Sequence, residues 1–302
     1  MNDQAARRRK MAAGQAPGRA LGTTAQQELA AALAVLNDRQ YGSTEAVHDI
    51  RKSMKRWRAL LRLLEPFLGE DGRRLRIEAR DLARSLQSAR EPRSALDALA
   101  DLGHDHDALA PRSVATISAR LEDMRRAGEA KTLTDDTRAE LRMKLQATVG
   151  EIERWPLAQI DGPAIAARLG ETYRRVRKTI PENWGQTPAE DLHELRKRVV
   201  EHRYQMELVE PLWPKVGKVW VAEAQKLRER LGSYQDLVVL ANMTAPHQPL
   251  APWRSRLAPP IAERQKRHLA SAARIAGRLF AEKPKAFRRR IEALWAAADD
   301  GA

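Results

Sequence analysis

Apolar residues recur at intervals of three and four along almost the whole chain, and no convincing run alternates with the period of two that a half-buried strand requires. The pattern predicts helices and little else. Leu, Ala and Val keep helical spacing from Thr24 to about Gln40, where YGST interrupts them. A second helix follows, and Glu65-Pro66 is expected to end or kink it, because proline lacks a donor N–H and its ring crowds the preceding turn. A charged amphipathic segment covers about 70–90, and further helices are expected over 112–127 and 135–155. DGP at 161–163 puts a proline just inside the next helix start. Helices are then expected over 164–180 and through the 190s and 200s, and two more lie on either side of the Pro-rich loop APHQPLAPW. One or two helices complete the chain over 260–298.

The pattern also repeats. Shifted by 145 positions without gaps, the chain pairs Glu45 with Glu190, His48 with His193, Arg51 with Arg196, Lys52 with Lys197 and Arg58 with Arg203. The match continues through Glu65-Pro66 and Glu210-Pro211, Gly72 and Gly217, and Leu86 and Leu231, giving 14 identities over the 47 positions 45–91. Average composition would give about three by chance. The reading is an all-α fold of two pseudo-symmetric four-helix bundle halves, 24–157 and 162–295, with a short tail over 296–302.

Composition narrows the chemistry. The 302 residues carry 54 Lys+Arg against 40 Asp+Glu, a formal charge of +14, which favours polyanionic partners such as nucleic acid, an anionic membrane surface or polyphosphate. The absence of cysteine excludes disulfides, thiolate metal sites and cysteine nucleophiles. No stretch approaches the 18 or so apolar residues of a membrane span. Residues 1–23 contain a basic run with no apolar segment behind it, so a disordered basic arm is expected rather than a signal peptide, and a cytoplasmic protein.

The strongest chemical signal lies in VHDIRKSMKRWRALLRLLEPF, residues 47–67. At about 100° per residue, His48, Arg51, Lys52, Lys55, Arg58 and Arg62 share a stripe about 120° wide, while Ile50, Met54, Trp57, Leu61 and Leu64 occupy the other face. Neighbours on such a stripe sit roughly 5–6 Å apart, and no acidic side chain relieves them from within it. A single basic helix is ordinarily a solvated face. Recurrence of its histidine and three cations argues instead for an extended anion with regularly spaced charges. LHELRKRVVEHRYQMELVEPL, residues 192–212, keeps His193, Arg196, Lys197 and Arg203 and adds Tyr204, but Val200 and Glu207 stand where Lys55 and Arg62 do. Glu207 is placed to pair with Arg203, so the first stripe is expected to bind more strongly. The histidines have cations around them and no nucleophile, which favours ligand contact or a structural hydrogen bond over catalysis. Trp57 lies opposite the cations and is expected in the core. HDHD at 104–107 offers metal-ligand types, though a solvated capping loop explains it as well.

HDIRKSMKRWR and HELRKRVVEHRY, one in each half, resemble the signature of the CHAD domain family, histidine-containing α-helical domains that bind inorganic polyphosphate. The segment LGSYQDLVVL at 231–240 is similar to the family's Leu-Gly…Asp-Leu element, while the first half departs from it, with Glu91 and Pro92 where Asp236 and Leu237 stand. The resemblance covers about 24–295. It implies a basic central pore or groove, no catalysis, no cofactor or metal, and association with polyphosphate granules. Carried over by position, the ligand contacts would be His48, Arg51, Lys52, Lys55 and Arg58 on one side, and His193, Arg196, Lys197 and Arg203 on the other. Arg73 and Lys218, which occupy matching positions, rank second; Arg62 and Tyr204 come from the helical wheel alone. The acidic strand that marks the triphosphatase domain of some relatives has only EIERW at 151–155 as a counterpart, without its lysine and in a helical pattern. A general polyanion- or nucleic-acid-binding helical protein is the rival, although no base-reading module is present.

Overall fold

The computed structural model describes residues 17–299 apart from 39, 41, 87–89, 104–109 and 130–132. Among these it contains ten α-helices and no strand. They are α1 (Pro17–Asn37), α2 (Ser43–Ser85), α3 (Arg90–Leu102), α4 (Pro111–Glu129), α5 (Asp135–Ile152), α6 (Gly162–Thr179), α7 (Ala189–Val209), α8 (Pro214–Met243), α9 (Arg254–Leu279) and α10 (Pro284–Asp299).

Helix α1 begins at Pro17, so the last seven residues of the expected disordered arm, 17–23, are helical. Gly18, Ala20 and Leu21 are buried, extending the stripe of Ala25, Leu29, Ala32 and Leu36 by another turn and a half. Residues 1–16 of the expected arm lie outside the described residues. The helix start at Asp161 has the predicted proline, Pro163, just inside, and Asp161 Oδ1 accepts from Ala164 N at 2.8 Å; at the start of α5, Thr134 Oγ1 accepts from Thr137 N at 3.2 Å.

The expected break at Glu65-Pro66 is displaced. Helix α2 runs through Pro66 and turns at Gly69, whose φ of 57° and ψ of −131° belong to a region that glycine enters without a Cβ clash. The later arm of α2 is thereby folded back towards the earlier one. In the second half the chain does break at the matching dipeptide: α7 stops at Val209, and Glu210–Leu212 forms one 3-10 turn before α8. Both sites use a repeated glycine. A Cβ on Gly72 would meet Leu68 Cβ at 3.0 Å and Glu65 Cα at 3.2 Å, and one on Gly217 would meet Glu210 Cα at 2.8 Å and its carbonyl oxygen at 2.9 Å. The matched Glu and Gly are thus the two sides of one close backbone contact.

Helix α1 packs on α2 and α5, α6 on α7 and α10, and α8 on α7 and α9, while α2 lies against α7. The main core runs through all of these, from Leu21 and Leu29 to Leu169 and Phe287. Trp57 is buried in it and stacks on Trp155 at a centroid distance of 5.7 Å. A second core joins α3 and α4 to the end of α8 and the start of α9 through Leu99, Ile117, Leu240 and Leu257. Both cores therefore draw residues from each side of the expected boundary near 157–162. Asp101 locks this crossing: Arg264 Nη2 donates to it at 2.7 Å, and His268 Nε2 lies 2.7 Å from it. Burial would raise the Asp101 pKa, but the bonds from His268 and Arg264 outweigh it and hold the carboxyl well below its usual range.

Within the second half, Tyr173, His202, Trp220, Phe280 and Phe287 form an aromatic cluster, with Tyr173 and Phe287 stacked at 4.3 Å. His202 is fully buried and accepts from Trp220 Nε1 at 3.1 Å. Burial pushes its pKa down to about 3, so it is neutral in the fold. The unfolded chain protonates this histidine first, near pH 6.5. Its contribution is therefore fully present above about pH 6.5 and is lost as pH falls towards 3. Between pH 6 and 4, unfolding by urea should show stability falling with acid at up to about 1.4 kcal/mol per pH unit, and His202→Gln should flatten that slope. Gly217→Ala should cost about 1–3 kcal/mol by the same measurement, and more than Gly72→Ala, because its new methyl meets the Glu210 backbone at 2.8–2.9 Å, closer than the 3.0–3.2 Å contacts at Gly72.

Candidate functional site

Helices α2 and α7 carry the two basic stripes, and their packing brings the stripes together. Ile50, Met54, Leu61 and Leu64 of α2 and Leu192, Leu195 and Val199 of α7 bury the apolar faces. Buried Gln205 Nε2 donates to Ala59 O at 3.0 Å, tying one helix backbone to the other. The cationic faces are left along a cleft of about 920 Å³.

Nine of the thirteen candidates line this cleft: His48, Arg51, Lys55, Arg58 and Arg62 from α2, and His193, Arg196, Lys197 and Tyr204 from α7. The other four do not. Lys52 is half-buried beside the lining, and Lys218 is exposed on the first turns of α8. Arg73 lines a smaller neighbouring pocket and pairs with Glu70 at 3.1 Å. Arg203 turns to Glu207 at 2.7 Å, as its spacing predicts, and lies over the Tyr204 ring at 4.4 Å. Its stripe position is correct, but a carboxylate one turn on captures it.

Seven further cations complete the lining: Arg76, Arg80 and Arg84 from the returning arm of α2, Arg93 from α3, Arg175 from α6, Arg198 from α7 and Arg228 from α8. The first three are spaced by four, a row legible in the sequence. It reads as a solvated face until the bend at Gly69 aims it back at His48 and Arg58. Altogether thirteen Lys and Arg face four carboxylates, Asp97, Glu194, Glu201 and Asp236.

The cleft cations have different duties. Arg51 Nη1 donates to Ala83 O at 3.0 Å and Leu86 O at 3.2 Å, placing its charge on the carbonyl end of α2 and holding the two arms together. The Arg196 guanidinium lies against Gly232, where a Cβ would come within 3.1 Å of Nη2, so the Leu-Gly element makes room for it. Glu194 pairs with Lys197 and, at 3.1 Å, with Arg198; the Lys197 bond holds its pKa down. Arg58 is in the opposite situation. Burial, and then the neighbouring Arg76, lower its pKa, and its Nε is buried with no hydrogen-bond acceptor. His48 is also lowered by burial and by Arg93, Lys55 and Lys52, against the pull of Asp49. Charge-rich and lined by donors, the cleft is suited to an extended anion that supplies many acceptor oxygens.

Among the described residues no group of three His, Asp or Glu could hold a metal ion, and no helix is long and apolar enough to cross a membrane. The HDHD stretch lies outside the described residues. No curated protein matches the chain. Among solved structures, it is similar to the crystal structure of the CHAD domain from the plant Ricinus communis, at 20% identity and a TM-score of 0.54, over 95% of this chain and 94% of that one. That likeness is one of fold. The family model for the CHAD domain matches residues 19–245, well over half of the sequence, and the chain belongs to the CHAD domain family.

Proposed function

We propose that the chain is a non-enzymatic binder of inorganic polyphosphate, held along the cleft between α2 and α7 by charge-assisted hydrogen bonds. The observation that carries this reading is the crowding of thirteen Lys and Arg around one cleft, with Arg58 half-buried beside Arg76 and its buried Nε lacking an acceptor. A cation held against both burial and a like charge gains most from an arriving anion. Polyphosphate supplies a negative charge and free oxygens at every unit, matching cations that approach from four helices in addition to α7. Neutral His48 would serve as a hydrogen-bonding group that charges as phosphate approaches.

Selectivity against nucleic acid follows from what lines the cleft. Binding single strands draws on aromatic faces for base stacking. Among the described residues Tyr204 is the one Phe, Tyr or Trp in the lining, and Arg203 lies over its ring at 4.4 Å and Arg56 at 5.4 Å. A polymer without bases loses nothing by this. Multivalent attachment to such a polymer would bring the protein to cytoplasmic polyphosphate granules.

Calorimetric titration with long-chain polyphosphate beside single-stranded DNA, at matched phosphate concentration and physiological salt, tests the reading. Saturable binding at least about tenfold tighter for polyphosphate is expected, and equal affinity would reduce the cleft to a general polyanion surface. The double variant Arg58→Gln, Arg228→Gln should weaken polyphosphate binding by about tenfold or more, while leaving the melting temperature unchanged or raised. The charge-matched pair Lys215→Gln, Lys218→Gln, both exposed on α8 outside the cleft, should change affinity by less than about twofold. Equal losses from the two pairs would mean that diffuse charge does the binding.

A further inference from the structure

One carboxylate stands where a bound polyanion would have to go. Glu201 of α7 lines the cleft, with its Oε2 3.6 Å from Arg62 Nε. Burial pushes its pKa up, against the pull of Arg62, Arg175, Arg198 and Arg76. Of these, Arg62 is its ion-pair partner, while Arg76, Arg175 and Arg198 act on it through space and pair with Glu65 at 2.9 Å, Glu171 at 3.5 Å and Glu194 at 3.1 Å. Glu194 differs, since its ion-pair partners, Lys197 and Arg198, come from its own helix. The 145-residue match sets Glu201 opposite Arg56, so the first half has no such acid at the equivalent position.

The position is also a junction. Arg62 and Arg175 line a second pocket of about 340 Å³ at the bend of α2, together with Arg73, Arg168 and Gly69 and with Glu65 and Glu70, which pair with Arg76 at 2.9 Å and Arg73 at 3.1 Å. The two cavities share these two arginines, and Glu201 acts on both. An anion confined to the main cleft can leave Glu201 in place. One that continues into the smaller pocket must engage the shared arginines and confront the carboxylate.

We propose that Glu201 is a built-in stand-in for a ligand phosphate. In the free protein it pairs with Arg62 and offsets the charge gathered at the junction, and a polyanion displaces it in order to run from the main cleft into the pocket at the bend. Like-charge opposition at this point penalises ligands that cannot repay the displaced contacts elsewhere. Long chains, anchored along the cleft, can repay them; a chain of a few phosphates cannot. Glu201 is thus a specificity-determining residue for chain length. This rests on the polyphosphate reading of the cleft and deepens it.

Calorimetry of the wild type, Glu201→Gln and Glu201→Asp with long-chain polyphosphate and with triphosphate separates the outcomes. Glu201→Gln should bind long chains roughly tenfold tighter than the wild type and gain proportionally more for triphosphate, narrowing the preference for length. Glu201→Asp keeps the charge but withdraws it by one methylene, and should fall between the two. It also provides the test should the Gln variant fail to fold. Wild-type binding with no gain, or a loss, in both variants would overturn the proposal and make Glu201 a counter-ion that merely orients the arginines. Failure of the wild type itself to bind polyphosphate would instead remove the cleft reading, and this inference with it.

Discussion

Repulsion between like charges is the constraint that the rest of the structure answers to. Thirteen Lys and Arg line one cleft, with four carboxylates among them, and ion pairs such as Arg62 with Glu201 and Arg198 with Glu194 offset only part of that charge. What holds it is packing on the far side of the same helices. The apolar stripes of α2 and α7 are buried in a core that runs through most of the chain, and Gln205 joins the two backbones inside it. Burial of a stripe of this kind stabilises by roughly 1.5–3 kcal/mol per large side chain, while each exposed cation pair repels by far less across water. The core can therefore carry a concentration of charge that the charges themselves oppose.

Position in the fold, rather than residue type, determines what each arginine does. Arg51 spends its charge on the carbonyl end of α2, Arg264 on Asp101 at the crossing of the two halves, and Arg203 on Glu207. These are structural ties. Arg58, a few residues from Arg51 on the same stripe, has no acceptor for its Nε and is lowered by burial and by Arg76. Neighbours on one helical face thus divide into those that hold the cleft open and those left for whatever enters it. Glu201 belongs to neither group, since it supplies inside the cleft the charge a ligand would bring.

Much of this was legible in the chain. Helical periodicity predicted the all-α fold, and the self-match at 145 residues marked α2 and α7 as the elements to watch. Nine of thirteen candidate residues line the cleft those helices form. The reason is physical: a 3.6-residue period separates an apolar face from a charged one before any tertiary contact exists. The i+4 spacing of Arg203 and Glu207 was enough to foresee their pairing, because that contact too is local.

Other features depended on which segments meet. Arg76, Arg80 and Arg84 became lining residues only because the chain bends at Gly69 rather than at Glu65-Pro66. Arg93 and Arg228 came in with α3 and α8, whose packing crosses the boundary between the repeats. Arg73 and Lys218 match in sequence and yet lie outside the cleft. By itself the sequence determined the helices, their faces and the duplicated basic stripe, since each depends on residues within a few turns of one another. The cleft itself, the half-burial of Arg58 and the pairing of Arg62 with Glu201 were decided by the tertiary structure alone, because burial and like-charge crowding arise only when segments far apart in the chain exclude water between them.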